Sequence, residues 1–224
     1  MVKKTRAGKQ GTAIRQEQIA QAALGLAASR GLKGLSVAAV AREVGLVPSA
    51  IYRHYRGKGE VLDAVLELIR DRLRANVAAV QAETADPLER IRRLLLRHVQ
   101  LLLEYQAIPR ILFSEEVYSG HPDRKARLYG VIQEYLGRIA ELVREGQLQK
   151  RIRPEARPET VAVMFIGLFA PTMMLWHLSD GGFDVHRHLE RAWGLFAASL
   201  TPKQVKRKRG GRKIKNVRSH GRPK

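Results

Sequence analysis

The segment from residue 35 to residue 46 reads Leu35-Ser36-Val37-Ala38-Ala39-Val40-Ala41-Arg42-Glu43-Val44-Gly45-Leu46, and Val47-Pro48-Ser49-Ala50-Ile51-Tyr52-Arg53-His54-Tyr55 follows it. Its apolar residues recur at three- and four-residue spacing, which is typical of α-helices. Ser36 can cap a first helix over residues 37–44, Gly45 can end it, and Pro48 suits the first turn of a second helix that reaches about Tyr55. Two short helices joined by a tight turn have the proportions of a helix-turn-helix unit.

The same spacing of apolar residues continues on both sides of this segment. It predicts further helices over residues 13–30, 59–82, from 87 onward, 108–117, 123–147, 158–178 and 185–200. Alternating β-type patterns are almost absent. We therefore predict an all-α protein of about nine helices, with a three-helix DNA-binding unit at its N-terminus.

The positive charge of the chain is concentrated at its two ends. The net charge is +20; residues 1–58 hold eleven Lys/Arg against two acids, and residues 203–224 hold eleven against none. Residues 59–202 hold nineteen of each sign. This distribution is typical of a protein that binds double-stranded DNA or another polyanion. The alternative for the N-terminal part is a charge excess that only aids solubility.

The composition also argues against several classes of protein. The chain has no cysteine, which excludes disulfides and Cys-ligated zinc. No uninterrupted apolar run reaches about 18 residues, so we expect no membrane partner, and the basic N-terminus lacks the apolar stretch of a secretory signal. No nucleotide-binding loop or convergent catalytic set is evident, and we predict no enzyme activity, no cofactor and no metal site. The expected location is the cytoplasm, at the nucleoid.

The segment Leu35–Leu46, with Ile51 to Tyr55, Lys58 and Leu62 at their spacing, resembles the TetR family of bacterial transcriptional regulators. The resemblance implies a ligand-responsive regulator, more often a repressor than an activator, that binds a palindromic operator as a homodimer. It also implies that the last two helices, about 158–178 and 185–200, form the dimer interface.

Charge, periodicity and the resemblance together predict a division of the chain into four parts. Residues 1–12 are a basic N-terminal arm, 13–58 the helix-turn-helix DNA-binding domain, 59–202 the helical effector-binding and dimerisation domain, and 203–224 a disordered basic tail.

Individual roles also follow from the resemblance. Base contacts are expected from Pro48, Ser49, Ala50, Tyr52 and Arg53. Phosphate contacts are expected from Ser36, His54 and Lys58. The simpler alternatives are a half-buried Tyr52 and an exposed His54 without a role. Val47 stands where the family usually has Ser or Thr, and its side chain cannot cap the recognition helix.

The basic tail carries a second, weaker DNA-binding signal. The sequence His220-Gly221-Arg222-Pro223-Lys224 is similar to the core of AT-hooks. Auxiliary DNA contacts are expected from the basic residues Arg207, Arg209, Arg212, Lys213, Arg222 and Lys224. Insertion into A·T-rich minor grooves, phosphate binding through counterion release and no contact with DNA all stay open.

An effector pocket would lie among the helices of residues 59–202. Its candidate lining residues, each of which can instead be ordinary core, are Tyr105, Phe113, Tyr129, Phe165, Met173 and Trp176. Their aromatic and thioether side chains favour an apolar or amphipathic small molecule. Two other functions stay open: a non-specific nucleoid-associated protein that packages DNA through its basic tail and, more remotely, a helical enzyme or ligand carrier.

Overall fold

A computed structural model describes residues 4–112, 114–118 and 121–202 of the chain. Within these ranges the chain forms no strand and ten α-helices: α1 (Lys4–Arg30), α2 (Val37–Glu43), α3 (Pro48–Tyr52), α4 (Lys58–Glu83), α5 (Pro87–Glu104), α6 (Ala107–Leu112), α7 (Glu115–Tyr118), α8 (Pro122–Leu148), α9 (Pro158–Leu178) and α10 (Val185–Leu200). The predicted all-α fold is confirmed.

Side chains near the helix ends account for most of the boundaries. The Ser36 hydroxyl accepts a hydrogen bond from the Ala39 N–H at 3.1 Å, which confirms the predicted cap of α2. The Asp86 carboxylate accepts from the Leu88 N–H at 3.0 Å and caps α5. Each cap satisfies an N–H group that has no partner in the first helical turn. Gly31, just beyond α1, has a φ of +68°, a conformation that glycine adopts without a steric penalty.

Three predicted helices differ from the structure by more than one residue at an end. α3 ends at Tyr52 rather than near Tyr55, because Tyr55 turns into the core and its hydroxyl donates to the Gln16 carbonyl at 3.4 Å. α1 begins at Lys4, nine residues before its first predicted residue, since no proline interrupts the helix ahead of its apolar stripe. The helix predicted over 108–117 is divided into α6 and α7 at Ser114, whose hydroxyl donates to the Ile111 carbonyl at 2.8 Å.

The N-terminal helices and the larger helical body share one long element, α4. Ile19, Val40 and Ile51 are fully buried in the small core of α1, α2 and α3. α4 packs along α1 and also contacts α5 and α8 in the body. The predicted domain boundary between residues 58 and 59 therefore falls inside the first turn of a continuous helix.

α9 is the most apolar helix of the body. By length and composition alone it could cross a bilayer, yet it packs against α5, α8 and α10 and buries Val161, Phe165 and Phe169. Its other side has no cover within the described part of the chain. That side and the adjoining part of α10, here called the α9–α10 outer face, expose Val163, Met164, Met174, Leu175, Leu178 and Leu195.

Candidate nucleic-acid interface

The turn between α2 and α3 fixes the angle between the two helices. Gly45 has a φ of +68°, and the Leu46 N–H donates to the Ala41 carbonyl at 2.7 Å, which closes the end of α2. Val40 and Ala41 on α2 and Ile51 on α3 are fully buried. α3 is therefore held rigidly against α2, with its opposite side free to enter a groove of DNA.

The solvent side of α3 carries side chains suited to base contacts. Pro48, Ser49, Tyr52 and Arg53 are exposed and Ala50 is half-buried. Tyr52 is 57% exposed, so it does not occupy the half-buried position that was the simpler alternative. Within the described residues, the side chains of Ser49, Tyr52 and Arg53 make no hydrogen bond or ion pair. Their donors and acceptors are therefore available to a partner molecule.

Arg53 and His54 follow α3 rather than belong to it. Arg53 is the C-cap residue of α3 with helical dihedral angles, and the His54 N–H donates to the Ile51 carbonyl at 2.8 Å. His54 is half-buried, and its ring lies 6.5 Å from that of Tyr55. Because α3 is only five residues long, its C-cap residue Arg53 lies at the end of the exposed surface.

Two of the three residues expected to contact phosphates, Ser36 and Lys58, already make hydrogen bonds within the protein. The Ser36 oxygen accepts the capping hydrogen bond described above, which leaves its O–H free to donate. The Lys58 ammonium group donates to the Leu32 carbonyl at 2.7 Å, which ties the first residue of α4 to the loop between α1 and α2. Val47, the N-cap residue of α3, makes no side-chain capping bond, because a valine side chain has no hydrogen-bonding group.

A cavity of about 650 Å³ lies in the body, within the range typical of small-molecule sites. It is lined by parts of α4, α5, α6, α8 and α9, through residues such as Ile69, Leu102, Ile108, Val131 and Ile166. Among the described residues that line it, none is Asp, Glu, Lys or Arg. The cavity therefore suits a largely apolar molecule.

The sequence-based pocket residues divide into three groups. Met173 and Trp176 line the cavity. Tyr105, Tyr129 and Phe165 do not: Tyr129 is 63% exposed, and Phe165 is fully buried edge-on against Tyr135 and Phe169. Phe113 lies outside the described residues, as do all six tail residues named above. The spacing of residues along a helix predicts on which face of the helix a side chain lies. It does not predict whether that face borders a cavity or packs against another side chain.

Sequence reasoning missed the polar centre of the cavity, which is His98 with Tyr135. His98 Nδ1 and the Tyr135 hydroxyl are 3.1 Å apart, and both side chains are buried. The two rings stack, and the His98 ring also lies 3.9 Å from that of Phe169 between ring centres. A signal was present, since His98 occupies the apolar stripe of α5 at the spacing set by Ile91, Leu94, Leu95 and Leu102.

Burial governs the ionisation of both side chains. It lowers the pKa of His98 from 6.5 to about 3, so that the imidazole is neutral at physiological pH. Burial likewise raises the pKa of Tyr135. Within the described residues no group of three or more His, Cys, Asp or Glu side chains could hold a metal ion.

Two family models match the chain, and they cover most of it. Residues 19–65 match the model described as bacterial regulatory proteins of the tetR family, and residues 84–200 match the tetracyclin repressor-like C-terminal domain. The chain belongs to the TetR family. It is a DNA-binding transcription regulator with a helix-turn-helix unit and a helical C-terminal domain, and members of this family usually act as dimers.

Individual TetR-family relatives are distant in sequence. The nucleoid occlusion factor SlmA of Vibrio vulnificus (strain YJ016) is 24% identical over 191 residues, which is 83% of this chain and 95% of that protein. The fatty acid degradation regulator FadR from Bacillus halodurans is 20% identical with a TM-score of 0.70, over 82% of this chain and 94% of that one. FadR from Bacillus subtilis, solved in complex with stearoyl-CoA, is 18% identical with a TM-score of 0.68, over 82% and 98%.

Proposed function

We propose that this TetR-family protein is a repressor that binds an approximately palindromic operator as a homodimer and is released by a small-molecule effector. The observation that carries the proposal is the solvent side of α3, where Ser49, Tyr52 and Arg53 have no partner within the described chain. A surface arranged to read base edges has this property, because its hydrogen-bonding groups are completed only by DNA.

The proposed contacts follow the positions of the side chains. Pro48, Ser49, Ala50, Tyr52 and Arg53 meet base edges in the major groove, with Arg53 suited to a guanine because a guanidinium can bond its O6 and N7 together. Ser36, His54 and Lys58 contact the phosphates that flank the groove. In this arrangement the DNA-binding domain spans residues 13–58 and the effector-binding and dimerisation domain spans 59–202. Residues 1–12 and 203–224 supply additional positive charge.

The homodimer is proposed to form through the α9–α10 outer face. Exposed residues recur along α9 at positions 160, 163, 164, 167, 171, 174, 175 and 178, a three- and four-residue spacing that aligns them on one side. At Gly167 and Gly194 an added Cβ would meet nothing within 4 Å, so a second helix can approach closely there. An exposed apolar side of this length is typical of a subunit interface.

Effector binding is proposed to act through the two elements that link the cavity to the DNA-binding helices. α4 lines the cavity with Ile69 and Leu73 and begins at Lys58, beside the helix-turn-helix unit. α6 lines it with Ile108 and packs on α1. A molecule that favours one position of these helices changes the separation of the two recognition helices in the dimer. Its effect on the free energy of DNA binding cannot exceed the difference between its binding free energies for the two dimer arrangements.

Selection from a random duplex library tests the proposal. The full-length protein is compared with a chain that ends at Pro202, which keeps the whole segment matched by the family models. At about 0.15 M salt, sequence-independent binding is heavily screened while base contacts persist. Recovery of one palindromic site by both proteins is the expected result. Recovery of no site, or of A·T-rich DNA by the full-length protein alone, would contradict it.

The charge of the tail supports a second candidate, a non-specific nucleoid-associated protein. Residues 203–224 hold eleven Lys/Arg and no acid, enough to bind any duplex by counterion release. The relatives described as nucleoid occlusion factors also favour a role at the nucleoid, although weakly at 24% identity. If this candidate is correct, ending the chain at Pro202 abolishes DNA binding. If the repressor is correct, the same truncation weakens binding to all sequences alike and reduces its dependence on salt.

Catalysis has no part in the proposed function. The cavity is proposed to bind its effector reversibly, without a cofactor or metal, in a protein located in the cytoplasm at the nucleoid. The apolar outer side of α9 is covered by the second subunit in this proposal, and no membrane is required.

A further inference from the structure

The polar residues of the cavity differ in their access to water. Gln106 and His177 line it but are exposed, so solvent can hydrate them when the cavity holds no effector. His98 and Tyr135 are buried, with His98 only 7% exposed, and on the side that faces the cavity their neighbours are Leu73, Phe169 and other apolar side chains. On that side, the hydrogen-bonding capacity left over at this pair can be used by water in the empty cavity or by a bound molecule that displaces this water.

The pair has one donor to spare, whichever tautomer the imidazole adopts. If the Tyr135 O–H donates to Nδ1, the Nε2 atom carries the proton of the neutral ring and is an unused N–H donor. If Nδ1 carries the proton and donates to the Tyr135 oxygen, the Tyr135 O–H is the unused donor. Within the described chain, neither side chain makes a hydrogen bond other than this one, which is 3.1 Å long. One N–H or O–H is therefore always left without an acceptor.

The electrical neutrality of the pair restricts what it can bind. The imidazole is neutral because its pKa is about 3, and none of the described residues that line the cavity is a lysine or arginine. A carboxylate or phosphate that reached the pair would lose its hydration and gain one hydrogen bond to a neutral donor, which is poor compensation. A carbonyl oxygen loses far less hydration and accepts the same bond.

We propose that the cavity selects an uncharged, mainly apolar molecule with a carbonyl oxygen, such as a ketone or an ester, which accepts the spare hydrogen bond of the His98–Tyr135 pair. The inference rests on the proposed effector cavity and adds the chemical class of its ligand. His98 and Tyr135 are then the residues that determine specificity, and the surrounding apolar side chains supply most of the affinity.

Three fluorescent probes that share one naphthalene skeleton test the proposal on the full-length protein. The first is the naphthyl ketone prodan, the second is its analogue with the carbonyl replaced by methylene, and the third is the corresponding naphthoate anion. The dissociation constant of each probe is measured for the wild-type protein, for the double variant His98→Leu/Tyr135→Phe and for Tyr129→Phe. The last is a matched control, because Tyr129 is exposed and does not line the cavity.

In the wild-type protein the naphthoate binds weakest. Removal of both partners leaves no unpaired polar group, so the double variant is expected to fold, which circular dichroism verifies. The ratio of methylene to ketone dissociation constants falls about five-fold in the double variant, the size of one neutral hydrogen bond. Emission from bound prodan also shifts to shorter wavelength, because its carbonyl has lost a donor. Tyr129→Phe changes neither quantity.

The other outcomes separate this inference from the function on which it rests. If the ketone and methylene probes bind but their ratio and the prodan emission are unchanged in the double variant, the cavity binds ligands and the assigned role of His98 and Tyr135 is wrong. Tightest binding of the naphthoate overturns the uncharged class. If none of the probes binds, both the inference and the proposed effector cavity are contradicted.

Discussion

Arg53 is the exposed cation at the end of α3, and its environment makes it a sensitive test of sequence recognition. Its guanidinium has no acidic partner among the described residues, so its removal leaves no buried charge and disturbs no packing. Arg56 lies three residues further and differs in one respect, because its guanidinium faces Glu60 with 3.7 Å between Nε and Oε1. The two arginines therefore form a pair in which one is expected to read a base and the other is not.

We expect Arg53→Ala to weaken operator binding by about 1–3 kcal/mol for each half-site and to abolish the preference at one base pair of each half-site, as loss of a bidentate guanine contact does. Arg56→Ala, the control, is expected to change the affinity for every duplex by the same small factor. Titration of operator variants with a single substitution at each position measures both effects. Equal weakening of all operator variants by Arg53→Ala would show that Arg53 contacts phosphate instead.

The buried histidine gives the protein a specific response to acid. The folded pKa of His98, about 3, lies below its ordinary value of 6.5, so between these values the unfolded chain binds a proton that the folded chain does not. The free energy of unfolding must then decrease as the pH falls through this window, by at most about 1.4 kcal/mol per pH unit from this group. Above pH 6.5 the imidazole is neutral in both states and contributes no pH dependence.

We expect His98→Leu/Tyr135→Phe to lose this part of the pH dependence. The difference in unfolding free energy between the variant and the wild-type protein should increase steadily as the pH is lowered below 6.5. Urea denaturation followed by circular dichroism, at pH values from about 7 to about 4, measures it. A difference that stays constant over this range would mean that His98 takes up its proton at the same pH in the folded protein as in the unfolded chain.

Gly45 sets the geometry of the turn between α2 and α3, and it does so through its backbone alone. Its φ is +68°, yet an added Cβ would meet nothing within 4 Å. A substitution there introduces backbone strain without a clash. Gly25 on α1 is the opposite case, with equally open space around it and no positive φ.

We expect Gly45→Ala to lower the free energy of unfolding by about 1–2 kcal/mol, the cost of the left-handed conformation for a residue with a Cβ. Gly45→Asn should cost less, because asparagine tolerates this region. Gly25→Ala, the matched control, should raise stability by about 0.5–1 kcal/mol, since alanine loses less entropy in a helix. Thermal or urea unfolding distinguishes the two signs, and destabilisation of the same size at both positions would contradict the assignment.

The helices whose ends are marked by local signals could be predicted closely from the sequence. α9 and α10 have the predicted bounds, because Pro158 suits a first turn and the segment from Ser179 to Asp184 is polar and glycine-rich. The end of α3 could not, since it depends on the contact of Tyr55 with Gln16, residues 39 apart in sequence. The exposed side of α3 could be predicted, because helical periodicity is a local signal. The cavity could not, because it depends on how five helices cross.

α4 joins the two halves of the molecule, and ion pairs fasten it to α8 along their shared length. Asp63 Oδ1 lies 2.9 Å from Arg124 Nε, and Glu134 bonds Arg74 with 2.5 Å between Oε1 and Nε. The hydrogen bond from Arg74 lowers the pKa of Glu134, which keeps that carboxylate charged. A shift of α8 around a bound effector would therefore carry α4 with it. By reciprocity, an effector that weakens operator binding is itself bound more weakly in the presence of operator.

The subunit arrangement decides whether this coupling reaches the DNA, and Leu195 on the α9–α10 outer face tests it. Leu195 is 78% exposed, so Leu195→Glu should leave the subunit fold unchanged. Two-fold symmetry would bring two buried carboxylates into the interface, and we expect dimerisation to weaken by about 2 kcal/mol or more. Sedimentation equilibrium measures this, and binding to the palindromic operator should weaken in parallel. Leu148→Glu, at an 85% exposed position that ends α8, is the control and should remain dimeric. If Leu195→Glu is dimeric as well, the subunits associate through another surface, and the recognition helices are spaced by different elements.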